Sequence, residues 1–158
     1  RLDVTSEDIK NLDYVLAGYH YGTFGEYPLK ALITHIANFR MVNRKSRNTK
    51  QRNYNTELVI KALYENDIKV LTHPGDKGDF DLIALAKACE ETNTLMEIST
   101  WHNAPLTSEL KELVKTQVSF VISSDAHSPE KVGFFEPGLK RALDAGLDPA
   151  RIVNLEEI

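Results

Sequence analysis

The chain has 158 residues, 42% hydrophobic and 27% charged, with 19 Lys and Arg against 23 Asp and Glu and a formal net charge of −4. That length and balance describe about one ordinary folded domain and exclude wholesale disorder, a low-complexity scaffold and a general nucleic-acid coat. No apolar run approaches the ~20 residues of a membrane helix, and the single cysteine, Cys89, fits a reducing, cytoplasmic setting and moves any metal chemistry onto histidines and carboxylates.

The opening RLDVTSEDIK is charged, lacks an apolar core and does not begin with Met, so a fragment or processed piece is expected. Tyr14–Ala17 reads as a strand that runs into Gly18, Tyr19 and His20. Leu29–Phe39 reads as a helix in which Leu29, Ile33 and Ile36 share a face. The next 13 residues carry Arg40, Arg44, Lys45, Arg47, Lys50 and Arg52 and no acid, while the rest of the chain, 13 bases against 23 acids, stands at −10. A block this basic is a handle for an anionic ligand or a solvated, mobile loop, the commoner fate of such blocks. A helix then opens on Asn55 or Thr56 as cap and runs through Tyr64. Ile68–Thr72 is a strand stopped by Pro74 and Gly75. Asp81–Glu91 is a helix, Thr94–Ile98 a strand, Thr107–Thr116 a helix with a Thr-Ser-Glu-Leu start, Val118–Ile122 a strand, Pro137–Ala145 a helix, and Arg151–Leu155 a short last strand.

Strands alternating with helices of about ten residues make the class α/β, built from parallel βαβ units. His73, Ser99 and Asp125 lie 26 residues apart, each just past a strand. Successive units of one size have that spacing, and their carboxyl ends form the rim where chemistry gathers.

Of the five histidines, His20, His73, His102 and His127 follow strands. His35 alone lies inside a helix, among Ile33, Ile36 and Phe39, and is expected to be a satisfied structural imidazole. Asp125-Ala-His127 sets a carboxylate and an imidazole two residues apart, which in extended chain sends both to one face, as two ligands of one metal cluster require. Such oxygen and nitrogen donors suit Zn, Mn or Fe. Cys89 reads as a small buried helix residue. The glycines of His73-Pro-Gly-Asp-Lys-Gly-Asp lack the spacing of a phosphate-binding loop, and Asp76, Asp79 and Asp81 lack the closing glutamate of a calcium loop.

Together LDYVLAGYH (Leu12–His20), LTHPG (Leu71–Gly75), LMEI (Leu95–Ile98) and VISSDAHS (Val121–Ser128) resemble the later motifs of the polymerase and histidinol phosphatase (PHP) family, and its free-standing phosphoesterases above all. The resemblance runs from about Leu12 to Leu155. It implies part of a distorted seven-stranded (β/α) barrel holding two or three divalent metal ions, Zn, Mn or Fe, with His20, His73, Asp125 and His127 at ligand positions. Glu97 matches the family's glutamate on the rim behind the ligands, and Ser99 stands beside it where the family has Asn. The family's opening His-x-His motif and its further early ligands have no counterpart here, so a barrel lacking its first third is expected, completed by an N-terminal segment or a second chain.

The implied reaction is hydrolysis of a phosphate monoester by a metal-activated hydroxide. His102 is the candidate acid for the leaving group or a substrate contact, and otherwise a loop residue stacked on Trp101. Lys77 and, from the basic block, Arg44 and Arg47 are candidate contacts to the substrate phosphate. Small phosphorylated molecules are the expected substrates, and no membrane partner is expected. A nuclease or polymerase-associated domain gripping a nucleic-acid backbone is the second reading, and a non-catalytic interaction domain with an incomplete metal site the third.

Overall fold

Short apolar runs closed by polar or glycine-containing turns give four strands: β1 (Val15–Ala17), β2 (Ile68–Leu71), β3 (Leu95–Ser99) and β4 (Phe120–Ser123). In the computed structural model, which describes residues 4–22, 28–44 and 48–155 and only the backbone of 6 and 41–44, they form one parallel sheet in the order β1-β2-β3-β4. Parallel neighbours need a crossover. It is supplied by α2 (Pro28–Arg44) and α3 (Thr49–Glu65) before β2, α4 (Leu82–Thr92) before β3 and α5 (Thr107–Leu113) before β4. A short α1 (Ser6–Ile9) precedes the sheet and α6 (Glu136–Asp144) follows it. The expected α/β class is thus what the chain adopts, and all four carboxyl ends open on one edge.

The core lies where β2, β3 and β4 meet α4, α5 and α6. Leu85, Cys89, Leu110 and Leu113 from the helices bury fully against Met96, Ile98 and Phe120 from the strands. Each such side chain contributes about 1.5–3 kcal/mol by leaving water. Burial also pushes the Cys89 thiol up to about 12, so it is a small apolar filler, as expected. Asp81 caps α4 by accepting from the Ala84 N–H.

Several expected details change. The basic block is mostly helix: Arg40–Arg44 end α2 and Lys50–Arg52 begin α3, which starts at Thr49 with Asn48 as its cap. Asn55 and Thr56, expected as caps, are buried inside α3, because both have partners there. Thr56 donates to the Arg52 carbonyl and accepts from the Asp81 N–H, and Asn55 pairs its amide with that of Asn38. Arg52 donates to the Phe80 carbonyl and lies within 3.6 Å of Asp79 and Asp81. The Asp79 and Asp81 carboxylates therefore serve structure.

At α5 the cap is Leu106, whose N–H is taken by the Glu109 carboxylate at 2.7 Å, so Thr107 is the first helical residue instead. The expected last strand at Arg151–Leu155 is a 3₁₀ turn (Pro149–Arg151) and a single bridge to Phe120. Asn154 explains the change: its side-chain amide both accepts from the Ile122 N–H and donates to the Ile122 carbonyl, giving β4 by side chain what a neighbouring strand would give by backbone. In α2, Leu29, Ile33 and Ile36 do share a face, but that face is exposed. Thr34, His35 and Asn38 are the buried ones. Among the described residues no helix is long and apolar enough to cross a membrane.

Candidate metal centre

β1 and β2 end too close together for a side chain. A Cβ on Gly18 would lie 2.1 Å from Thr72 Oγ1 and 3.3 Å from the His73 ring, so only glycine lets the two loops run side by side. Two residues on, His20 Nε2 is 3.1 Å from His73 Nε2. Tyr19, between them, is anchored by its hydroxyl to His35 Nδ1 at 2.7 Å, so His35 is the satisfied structural imidazole its setting implies.

His73 turns off the end of β2 with φ +28°, and its N–H donates to the buried Glu97 carboxylate on β3. The Ser123 hydroxyl on β4 donates to the same carboxylate. One buried group therefore ties together the ends of β2, β3 and β4. Burial raises the Glu97 pKa, while these two hydrogen bonds pull it back down.

Past β3 the chain folds back sharply. Ser99 N–H donates to the Ala104 carbonyl at 2.8 Å, Ser99 Oγ accepts from the His102 N–H at 3.1 Å, and Arg141 of α6 donates to the Ser99 carbonyl at 2.6 Å. This turn sets the His102 ring between two carboxylates. Its Nδ1 lies 3.0 Å from Asp76 Oδ2, in the loop after β2, and its Nε2 lies 3.0 Å from Asp125 Oδ2, in the loop after β4. Both oxygens are buried and neither has a properly directed hydrogen bond. Lys77 Nζ stands 2.6 Å from the same Asp76 oxygen.

Among the described residues, His73, His102 and Asp125 could hold a metal ion, each offering one ligand atom within 4.8 Å of the others. Burial, then the neighbouring rings of His102 and His20, push the His73 imidazole down from 6.5 to about 4. It is therefore neutral at physiological pH, the form that coordinates a metal. A buried anionic oxygen without a directed hydrogen bond is costly. The Asp76 oxygen has the Lys77 ammonium beside it, so it is the Asp125 oxygen, next to the His102 and His73 rings, that suits a cation.

Of the residues expected on the rim, His20 meets His73 and His73 meets Asp125, while His20 and His127 both stand outside the three-residue group. Asp125 has φ +47°, so the Asp-Ala-His segment is not the extended chain expected of it. The His127 ring bonds its own loop, Nδ1 to the Asp125 carbonyl at 2.7 Å, and stacks on Trp101 with centroids 4.9 Å apart. The ring on Trp101 is therefore His127, and His102 turns inward instead. Glu97 accepts from the His73 N–H and Ser99 from the His102 N–H. Arg47 and the side chain of Arg44 lie outside the described residues. In the sequence Asp76 reads only as part of a calcium loop that lacks its glutamate; its position three residues past a strand-ending histidine is the signal for its place on the rim.

No family model matches the chain. A protein of Proteus mirabilis (strain HI4320) named a probable phosphatase is 26% identical over 162 aligned residues, which cover 97% of this chain and 57% of that protein. The chain therefore spans little more than half the length of the curated relative it matches.

Proposed function

We propose that this chain, distantly similar to a probable phosphatase, carries the metal-binding part of a phosphoesterase of the PHP type on part of a (β/α) barrel. It hydrolyses phosphate monoesters of small molecules with two or three divalent cations, Zn, Mn or Fe. The observation that carries this reading is the convergence of His73, His102 and Asp125 on the carboxyl edge of a parallel sheet, with His20 against His73 and a buried Asp125 oxygen that has no directed hydrogen bond.

His20, His73 and Asp125 would hold the cations, with His127 on the exposed side of the same rim. A bound cation would lower the pKa of a water and place positive charge near the phosphate. The neutral His73 ring presents a lone pair without first losing a proton. Glu97 fixes the backbone of His73, so the ring does not drift from Asp125. Lys77, an ammonium beside Asp76 on the same rim, is a point charge for the phosphate.

The test uses the longest natural protein carrying this chain, stripped by chelator and reloaded with Mn or Zn. Metal-restored hydrolysis of p-nitrophenyl phosphate, lost by at least ~100-fold in Asp125→Asn, supports the reading. Asparagine is tolerated at a left-handed φ, so loss of activity there reflects lost ligation. A protein that binds no metal and hydrolyses nothing overturns it in favour of an interaction domain.

A further inference from the structure

We propose that His102 is itself a metal ligand, through Nε2, completing a set with His73 and Asp125, and that Asp76 beside the ring positions it. This rests on the reading of the rim as a metal site and adds to it a ligand that the motif resemblance does not supply.

Three observations carry the assignment. First, the ring is placed by dedicated contacts: Ser99 Oγ holds its backbone N–H, Arg141 holds the Ser99 carbonyl, and the side chain is only 14% exposed. A loop histidine without a task has no need of such an arrangement.

Second, the relation of His102 to Asp125 is that of two ligands. At 3.0 Å, a donor and an acceptor aimed at each other would form a hydrogen bond. Asp125 Oδ2 has none, although it is buried. The two atoms are therefore close without a directed hydrogen bond between them. Metal bonds of about 2.0–2.1 Å put neighbouring ligand atoms a little over 3 Å apart, and a ligand atom of His73 lies within 4.8 Å of both.

Third, a carboxylate stands beside the far nitrogen, close enough to orient the ring once a metal fixes the near one. Asp76 Oδ2 stands 3.0 Å from Nδ1, and Lys77 Nζ, 2.6 Å away, offsets its charge. Metal-bound histidines commonly have a carboxylate at the other ring nitrogen, which fixes tautomer and ring orientation.

Co(II) titrated into the metal-free 158-residue chain tests this, followed by its visible absorption and by competition with a chelating dye. Asp76→Asn is expected to weaken Co(II) binding by roughly 10–100-fold with the absorption band kept, as loss of an outer partner does. His102→Gln is expected to exceed that loss and to change the band itself. Where His102→Gln proves unfolded by circular dichroism, wild type decides: with ¹⁵N-labelled histidine and ¹¹³Cd, a cadmium–nitrogen coupling appears at His102 Nε2. Wild-type affinity and spectrum in folded His102→Gln, or couplings at other histidines and none at His102, overturn the proposal and leave the phosphoesterase reading standing. A wild-type chain that binds neither Co(II) nor Cd(II) overturns both.

Discussion

On the β4 side of the sheet, Met96, Ile98, Phe120 and Leu113 interlock without contact with water. On the β1 side, Leu16 is 54% and Leu29 71% exposed, while Thr34, His35 and Asn38 face inward. The inner face of α2 is a polar seam: His35 holds Tyr19, and Asn38 exchanges two hydrogen bonds with Asn55 of α3, which also reaches the Asp79 carbonyl. The two flanks hold different parts of the same rim. Apolar packing sets the strands that carry Glu97 and precede His102 and Asp125, whereas directed hydrogen bonds set the loop that carries His20. Apolar periodicity in a helix reports which side is greasy, and on this flank the greasy side is the outer one.

The contrast predicts unequal costs. Phe120→Ala removes a ring fully buried at the centre of the packed flank and is expected to cost about 3–5 kcal/mol in chemical denaturation. A loss below about 1 kcal/mol would mean that the β4 side is not the firm one.

Between the flanks sits His73. Its folded pKa of about 4 lies below the ordinary 6.5, so between those values the unfolded chain binds more protons than the native one. Stability therefore rises with pH across this window and is lost as pH falls from about 6.5 toward 4. The full span amounts to up to about 3 kcal/mol in the metal-free chain. His73→Asn, with a residue that accepts the left-handed backbone, should flatten that part of the profile. An unchanged slope in the variant would assign the acid sensitivity elsewhere.

These contrasts also mark what was legible in the residues alone. β2, β3, β4, α4 and α6 fall within a few residues of their expected bounds, because each is an apolar run or amphipathic stretch closed by a local signal such as Pro74, Gly75 or the Asp81 cap. His20, His73 and Asp125 could be placed on one rim because ending a strand is itself a local property. The pairing of His102 with Asp76 and Asp125 was not legible. It depends on Ser99, on Arg141 from 42 residues away and on the positive φ of Asp125, which breaks the extended spacing assumed for Asp125 and His127. The Asn154 substitute for a strand and the Asn38–Asn55 seam escaped for the same reason: a polar side chain shows its partner only once the chain is folded.

The polar seam should be of intermediate worth. Asn38→Ala deprives Asn55 of one donor and one acceptor, but Gln51 and the Asp79 carbonyl still bond it. A cost of about 1–2 kcal/mol is expected in denaturation. Because the seam backs the His20 loop, the variant should also raise hydrogen exchange at Tyr19 and His20 while leaving Met96 and Ile98 protected. Equal deprotection on both sides would show one cooperative unit instead of two supports.

The smallest effect belongs to the outer face of α2. Ile33 is 60% exposed, so most of its surface is already hydrated in the folded chain and replacing it returns little apolar area to water. Ile33→Gln also substitutes a better helix former for a β-branched residue, which offsets the small loss of contact. The net change is expected within about ±0.5 kcal/mol, with solubility raised because an apolar patch is broken. A cost above about 2 kcal/mol, comparable to a core deletion, would mean that Ile33 is covered in solution, and the contrast between the two flanks would then vanish.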